Sequence, residues 1–361
     1  MKFMIAAGGT GGHIFPGLAL AEEIKERDRE HHIIFIGTKS GMETSIIHQH
    51  GYVLKTVWGK KLKQGSWQDR FLAILLLPVS FAQSLYLLMR ERPDCIIGIG
   101  GYAAGPFILM ASCLRFLTTI IEPNSIPGMT NRILGRFVRR IYVAFSRTIN
   151  FFPEKKTLHT GNPVRSSLIQ EYQDNRNNKP EGFNLLILGG SQGAHQINKT
   201  MLEALPYLER ERTRISIYHQ TGVAECTWIQ KRYQERGWEA YVTPFINHLG
   251  QAYAQSDLVI SRAGASTISE IIACCKPTLF IPYPYAADDH QRYNAESLVH
   301  EGAGRMIVGE EVTGQNLAHI ILDFLNHPEK LTQISQRLEE LSGRNARQEI
   351  INDCFNLLRA A

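Results

Sequence analysis

No Cys-x-x-Cys pair occurs among the six cysteines, Cys95, Cys113, Cys226, Cys274, Cys275 and Cys354. That removes the ligand spacing a structural zinc site needs. Cys274 and Cys275 are adjacent, which makes a bridge between them awkward, so the expectation is free thiols, mostly buried, in a reducing compartment. No Asp-x-Asp pair occurs, so a paired-carboxylate site for a metal-bridged nucleotide has no support. No Gly-x-x-x-x-Gly-Lys run occurs, which excludes an ATP-type phosphate loop. Low-complexity tracts and internal repeats are missing, and charged residues make up 20% of the chain against 44% hydrophobic, the balance of a globular protein. Residues Met1–Ala7 are too short for the apolar part of a secretory signal and run straight into glycines. Long apolar runs are also missing, with one exception. The 19 residues from Phe71 to Met89 carry no charge. They are long enough to span a bilayer, yet they contain Pro78, Ser80, Gln83 and Ser84, so an interior or interfacial helix is the expectation.

What is present is a repeated pattern. Phe3–Ala7 is a short apolar run, followed by Gly8-Gly9-Thr10-Gly11-Gly12-His13 and then helical periodicity over Phe15–Arg27. Further apolar strands are expected at His32–Gly37, Cys95–Gly101, Thr118–Ile121 and Ile141–Phe145. The pattern restarts at Phe183–Leu188, with Gly189-Gly190-Ser191-Gln192-Gly193-Ala194 as its glycine turn and a helix beginning near Asn198. Strands follow at Ile215–His219, Ala240–Val242, Leu258–Ile260 and Thr278–Ile281. Between the halves, Gln170–Gly182 reads as a solvated connection and Thr160–Arg165 as an inter-domain turn. At 361 residues the chain suits two domains. The fold class is α/β, two Rossmann-like doubly wound domains facing a cleft, with ligands bound beyond the carboxyl ends of the strands.

Glycine lets backbone N–H groups approach an anion, and a helix starting just after adds its positive end. The two glycine turns, and a third at Gly98–Gly105, therefore suit phosphate or diphosphate. The second strand ends Gly37-Thr38-Lys39 rather than in an acidic residue, which disfavours a nicotinamide dinucleotide. Charge is uneven. Residues 1–163 hold 20 Lys+Arg and 11 Asp+Glu, and the remainder 19 and 23. The excess of +9 in the first half points to an anionic partner. Lys55, Lys60, Lys61, Lys63 and Arg70 precede the uncharged stretch. Arg132, Arg136, Arg139 and Arg140 have the spacing of one helical face, leaving Ile133, Leu134, Phe137, Val138 and Ile141 to pack elsewhere. Basic residues beside apolar ones suit contact with an anionic membrane surface. No aromatic ribonucleoprotein-type motif or basic–aromatic stripe supports nucleic acid as the partner.

Five motifs occur in order: Gly8–His13, Gly100-Gly101-Tyr102, Gly161-Asn162-Pro163-Val164-Arg165, Gly189–Ala194 and Ser261-Arg262-Ala263-Gly264-Ala265-Ser266-Thr267-Ile268-Ser269-Glu270. Together they resemble the undecaprenyl-diphospho-muramoylpentapeptide N-acetylglucosaminyltransferase family, of GT-B type, and the resemblance runs from about Lys2 to the C-terminal helices. It implies inverting transfer of N-acetylglucosamine from UDP-GlcNAc to undecaprenyl-diphospho-MurNAc-pentapeptide (lipid I), giving lipid II, in peptidoglycan synthesis. It further implies no cofactor and no metal, and a peripheral position on the cytoplasmic face of the cell membrane. Residues 1–163 then form the acceptor- and membrane-binding domain, 164–340 the UDP-sugar domain, and 341–361 a C-terminal helix packing back on the first. Another GT-B sugar transferase or a UDP-GlcNAc epimerase on the same fold are the alternatives among enzymes, and a non-catalytic nucleotide-sugar or scaffold protein the alternative outside them. The chain departs from the family at Ile121-Glu122-Pro123-Asn124, where His-Glu-Gln-Asn is common, at Ala104 in place of serine, and at Asn247 in place of aspartate.

His13 has the side chain for a general base at neutral pH, with helix capping or a hold on the acceptor diphosphate as alternatives. Glu270 is expected either to accept hydrogen bonds from ribose hydroxyls, which the resemblance implies, or to complement a helix dipole from the first turn. For UDP-GlcNAc, the resemblance carries over Thr10, Gly11, Gly12, Asn124, Arg165, Ser191, Ile246, Ala265, Ser266, Thr267, Ile268, Ser269, Glu270 and Gln291. Among these, Ser191 and Ala265–Thr267 would face the diphosphate. Ile246 would meet uracil through its backbone and Gln291 would meet the sugar. Arg165 can neutralise the leaving UDP in place of a metal.

Overall fold

The computed structural model describes residues 1–8, 11–38, 43–58, 76–101, 104–190 and 193–360. Thr10, Tyr102, Ser191, Lys60, Lys61, Lys63, Arg70 and residues 71–75 of the uncharged stretch lie outside the described residues. The chain divides into two compact units, Met1–Arg165 with Arg344–Ala361, and Ser166–Gly343.

In the first unit β1 (Lys2–Ala7), β2 (His32–Gly37), β3 (Val53–Thr56), β4 (Cys95–Gly100), β5 (Thr118–Glu122), β6 (Arg140–Val143) and β7 (Thr157–His159) form a parallel sheet. Their order is β3-β2-β1-β4-β5-β6-β7. The strand-then-helix alternation requires this arrangement, because parallel neighbours need a crossover between them. The helices are α1 (Gly11–Arg27), α2 (Glu43–Gln49), α3 (Leu77–Glu91), α4 (Ala104–Cys113) and α5 (Met129–Leu134), with a C-terminal helix, Ala346–Arg359, returning to this unit. Alternate residues of β1 serve opposite faces. Phe3, Ile5 and Ala7 pack with Ile14, Leu18 and Ile24 of α1 and with Ile350, Ile351 and Cys354 of the C-terminal helix. Met4 and Ala6 pack with Phe107 and Ile108 of α4. Burial on both faces explains why the strands read as continuous apolar runs.

The second unit repeats the plan. β8 (Phe183–Leu188), β9 (Ile215–Gln220), β10 (Ala240–Thr243), β11 (Leu258–Ser261), β12 (Thr278–Phe280) and β13 (Arg305–Met306) are parallel, in the order β10-β9-β8-β11-β12-β13. The helices that matter for the site are α6 (Ser166–Asn175), α7 (His195–Leu208), α8 (Cys226–Glu235), α9 (Leu249–Gln255), α10 (Ala265–Ala273) and α11 (His290–His300).

Two sequence expectations change here, and the reading of the uncharged stretch does not. The connection expected over Gln170–Gly182 begins later, because α6 continues to Asn175 with Leu168 buried. Its polar composition hides a one-sided apolar face. Arg132, Arg136, Arg139 and Arg140 do not share a helical face. α5 ends at Leu134, and Arg140 opens β6 with its side chain on Asp353 at 2.7 Å. Leu134, Val138 and Ile141 go to the core, leaving Ile133 and Phe137 exposed. The uncharged stretch yields α3, 15 residues long, and no helix among the described residues is long and apolar enough to cross a membrane. The six cysteines are free, three of them buried.

Candidate functional site

In both sheets the strand order reverses beside the first strand, between β1 and β4 and between β8 and β11. The glycine turns lie at these switch points, where a crevice opens past the carboxyl ends of the strands. In the first unit the turns after β1 and β4 touch. Gly101 has φ +97°, and a Cβ on it would stand 2.3 Å from the Gly8 carbonyl oxygen. Only glycine permits that approach. Gly100, φ +129°, lies against the His13 ring, with a built Cβ 2.9 Å from Nε2. His13 is the third residue of α1 and half-buried. Its Nδ1 donates to the Gly8 carbonyl at 3.2 Å, which in the neutral ring puts the proton-accepting lone pair on Nε2. Two residues on, the Phe15 ring carries the Arg165 guanidinium 4.8 Å from its centroid, so Arg165 sits over the start of the same helix.

Asn124 owes its place to Glu122, a residue given no role from sequence. Glu122 closes β5 and is fully buried. Its carboxylate accepts from the Asn124 N–H at 3.0 Å, the Asn124 amide at 3.2 Å, the Gly128 N–H at 3.1 Å and the Asn131 amide at 2.9 Å. Burial pushes the Glu122 carboxyl up to about 7, opposed by these four donors. The 123–128 turn is therefore wound around one carboxyl group.

In the second unit Gly193, φ +77°, approaches Thr221 so closely that a Cβ would stand 2.2 Å from its carbonyl oxygen. Buried Gln220, at the end of β9, donates to the Gly190 carbonyl at 2.9 Å and accepts from the Ile246 N–H at 3.0 Å. Gln220 thus ties the glycine turn to the Ile246 segment and occupies the Ile246 N–H. Behind it, buried His219 meets the Tyr233 hydroxyl and the Asn198 side chain, each at 3.0 Å, and burial holds the imidazole down at about 3. Asn198 in turn donates to the Thr221 carbonyl at 3.0 Å.

After β11 the chain turns at Gly264 into α10. Ala265, Ser266 and Thr267 form its first turn, where N–H groups lack intrahelical partners and favour an anion. Ile268 points into the core and its N–H bonds the Gly264 carbonyl at 2.9 Å, while the Ser269 hydroxyl donates to the Ala265 carbonyl at 2.8 Å. Glu270 is the sixth residue of α10, not a first-turn residue, so a dipole role from the first turn does not apply. It is 8% exposed and accepts from the Tyr253 hydroxyl at 3.3 Å. Arg262, another residue given no role from sequence, donates to Gln196 and to the carbonyls of Ile281 and Pro282 at 2.9–3.1 Å. Burial lowers its guanidinium to about 10, so it stays cationic at neutral pH. Gln291, near the start of α11, accepts from the Tyr283 N–H at 2.9 Å.

Residues 3–143 match the glycosyltransferase family 28 N-terminal domain and 184–351 the glycosyltransferase family 28 C-terminal domain. The chain is 41% identical to the UDP-N-acetylglucosamine–N-acetylmuramyl-(pentapeptide) pyrophosphoryl-undecaprenol N-acetylglucosamine transferase of Citrifermentans bemidjiense, over 98% of both chains. The proteins of that name from Anaeromyxobacter dehalogenans (42%, 99% and 94% covered) and Geobacter sulfurreducens (40%, 98% and 98%) are similar over the same extent. The chain belongs to this transferase family. It is a hexosyltransferase of two α/β units. Among solved structures it is similar to the MurG of Acinetobacter baumannii, 27% identical with a TM-score of 0.77 over 98% of this chain and 99% of that one. A Neisseria meningitidis UDP-GlcNAc 2-epimerase bound to UDP-GlcNAc, 16% identical with a TM-score of 0.69 and 98% and 99% covered, shares the fold.

Two segments of the transferase's first unit expose apolar side chains. Val79, Leu85, Tyr86 and Met89 of α3 are exposed, as are Met129, Ile133 and Phe137 in and after α5. Arg90, Arg132 and Arg136 lie among them in sequence.

Proposed function

We propose that this chain transfers N-acetylglucosamine from UDP-GlcNAc, with inversion, to the undecaprenyl-diphospho-MurNAc-pentapeptide acceptor (lipid I), giving lipid II. The observation that carries the reading is identity of 40–42% over 97–99% of the chain to relatives whose shared name describes this transfer. In the reaction the acceptor oxygen forms a bond to the anomeric carbon, the bond from that carbon to the UDP oxygen breaks, and UDP leaves. His13 Nε2 takes the acceptor proton. The first turn of α10 and the Arg165 guanidinium stabilise the charge that develops on the diphosphate. The second unit holds the donor: the Gly189–Gly193 turn and Ser191 with Ala265–Thr267 at the diphosphate, Glu270 at the ribose, the Ile246 carbonyl at uracil and Gln291 at the sugar. Thr10, Gly11, Gly12 and Asn124 complete the donor's contacts from the first unit.

The protein works at the cytoplasmic membrane face as a peripheral enzyme, bound to anionic lipid through the exposed face of α3 and the Met129–Phe137 segment. Thermal melting with UDP-GlcNAc, UDP-glucose, UDP-GalNAc and NADH tests the donor assignment. UDP-GlcNAc near a hundred times its Kd is expected to stabilise by about 2.7 kcal/mol, more than the other sugars do. Stabilisation by NADH alone overturns it.

A further inference from the structure

Glu225 has no part in the proposed transfer, yet it ends a buried polar network behind the second unit's glycine turn. It is the N-cap residue of α8. A carboxylate in that place ordinarily accepts from the first free N–H groups of its own helix. Glu225 makes no such bond. Its side chain turns to α7 instead. Oε2 accepts from the Asn198 amide at 2.7 Å, and Oε1 meets His195 Nδ1. His195 and Asn198 are three residues apart in the first turn of α7, so one carboxylate holds that turn from outside.

Asn198 is fully buried, and both amide hydrogens and the side-chain carbonyl are engaged. Nδ2 gives one hydrogen to Glu225 and the other to the Thr221 carbonyl, and Oδ1 meets His219 Nε2. The direction of the amide follows from these neighbours. The carboxylate and the Thr221 carbonyl only accept, so they take Nδ2 and leave Oδ1 for the imidazole. Burial keeps His219 neutral, so its one ring proton sits on Nε2 and Nδ1 accepts from the Tyr233 hydroxyl. Turned over, Asn198 would set its oxygen against two acceptors. The Thr221 carbonyl is also the atom against which Gly193 closes. The Thr221 N–H is fixed on the Thr243 carbonyl at 3.1 Å. Glu225 therefore orients the amide that grips the carbonyl beneath the glycine turn.

We propose that Glu225 is a positioning residue for the sugar-nucleotide donor, holding Gly193 in place through Asn198 and the Thr221 carbonyl. The inference rests on the reading that puts the donor diphosphate at the Gly189–Gly193 turn, and adds to it a residue that acts without touching the donor. The bond to Asn198 carries the effect. The pair with His195 lies at the surface, with the His195 side chain 69% exposed, and exposed ion pairs contribute little.

The test is calorimetry with UDP-GlcNAc, together with transfer kinetics, on the full-length Glu225→Ala, Glu225→Leu, Glu225→Gln and His195→Ala proteins. A buried amide hydrogen left without its acceptor should raise the Kd and KM for UDP-GlcNAc about tenfold in the alanine and leucine variants, with kcat within about twofold of wild type. Glutamine keeps an oxygen for Asn198, so Glu225→Gln should stay within about threefold of wild type, as should His195→Ala. Leucine, closer in size to glutamate, serves if the alanine variant does not fold. An unchanged Kd in the folded alanine and leucine variants, or a glutamine variant as weak as they are, overturns the positioning role. So does a fall in kcat at unchanged KM, or a lower melting temperature at unchanged Kd, which assigns Glu225 to stability alone. In each of these cases the wild type still binds UDP-GlcNAc and the donor reading stands. Wild-type protein that does not bind UDP-GlcNAc overturns both.

Discussion

His13 and Glu122 sit near strand ends of one sheet in contrasting surroundings. His13 is half-buried, with Nδ1 fixed on a carbonyl, and His13→Ala is expected to lower kcat on a soluble acceptor by far more than tenfold while UDP still stabilises the protein. A smaller fall in kcat removes the base role. Glu122 is sealed in, and burial raises its carboxyl to about 7. The folded state therefore keeps a proton that the unfolded chain has already released. Stability from this group is present at low pH and is lost as pH climbs from about 4.5 to about 7, by about 3 kcal/mol. Urea unfolding at pH 5 to 8 should show that loss in the wild type relative to Glu122→Gln. A constant difference between the two proteins across that range contradicts it. His13 was legible in the sequence because its glycines and the helix after them are local. Glu122 was not, because three of its four donors come from Gly128, Asn131 and the folded-back Asn124 amide, which no spacing rule connects to a strand end.

At the scale of elements, the strand–glycine–helix units were readable because apolar runs bounded by glycine are a local signal. The positions of turns relative to one another were not. Gly190 and Gly193 show the difference. Both have positive φ, but Gly190 has nothing within 4 Å of a Cβ, whereas Gly193 would drive one into a backbone carbonyl. Gly190→Ala should lower stability by about 1 kcal/mol, and Gly193→Ala by several times that, as read by urea unfolding. Equal effects contradict the close-approach account. Gln220 joins two turns that sequence treats as unrelated, and its signal was only a polar side chain ending an apolar strand. Losing its bonds in Gln220→Ala should raise the Kd for UDP-GlcNAc about tenfold by calorimetry, with kcat little changed. The basic residues after α5 misled for the same reason that Glu122 escaped notice. Regular spacing was present without a helix to carry it past Leu134.

Across the whole molecule, the chain ends by returning to its first unit. Arg347 lies within 4 Å of Glu22, Glu23 and Glu26 of α1, Asp353 takes Arg140 and the Tyr142 hydroxyl, and Ile350 and Ile351 are fully buried. Ending the chain at Gly343 removes those side chains from the core, a loss on the order of 5 kcal/mol and comparable to a domain's whole stability. Limited proteolysis should then cut within residues 1–165 and spare 166–343, and equal resistance of both units contradicts it. The charge split also belongs to this scale: the +9 of residues 1–163 against −4 for the remainder is the sequence feature on which the proposed anionic partner rests. The measurement that bears most directly on the account is transfer itself, with labelled UDP-GlcNAc and the undecaprenyl-diphospho-MurNAc-pentapeptide acceptor. The account predicts β-linked labelled N-acetylglucosamine in the lipid-extractable product, with UDP released mole for mole. Hydrolysis of UDP-GlcNAc without transfer, or its conversion to the 2-epimer, contradicts it.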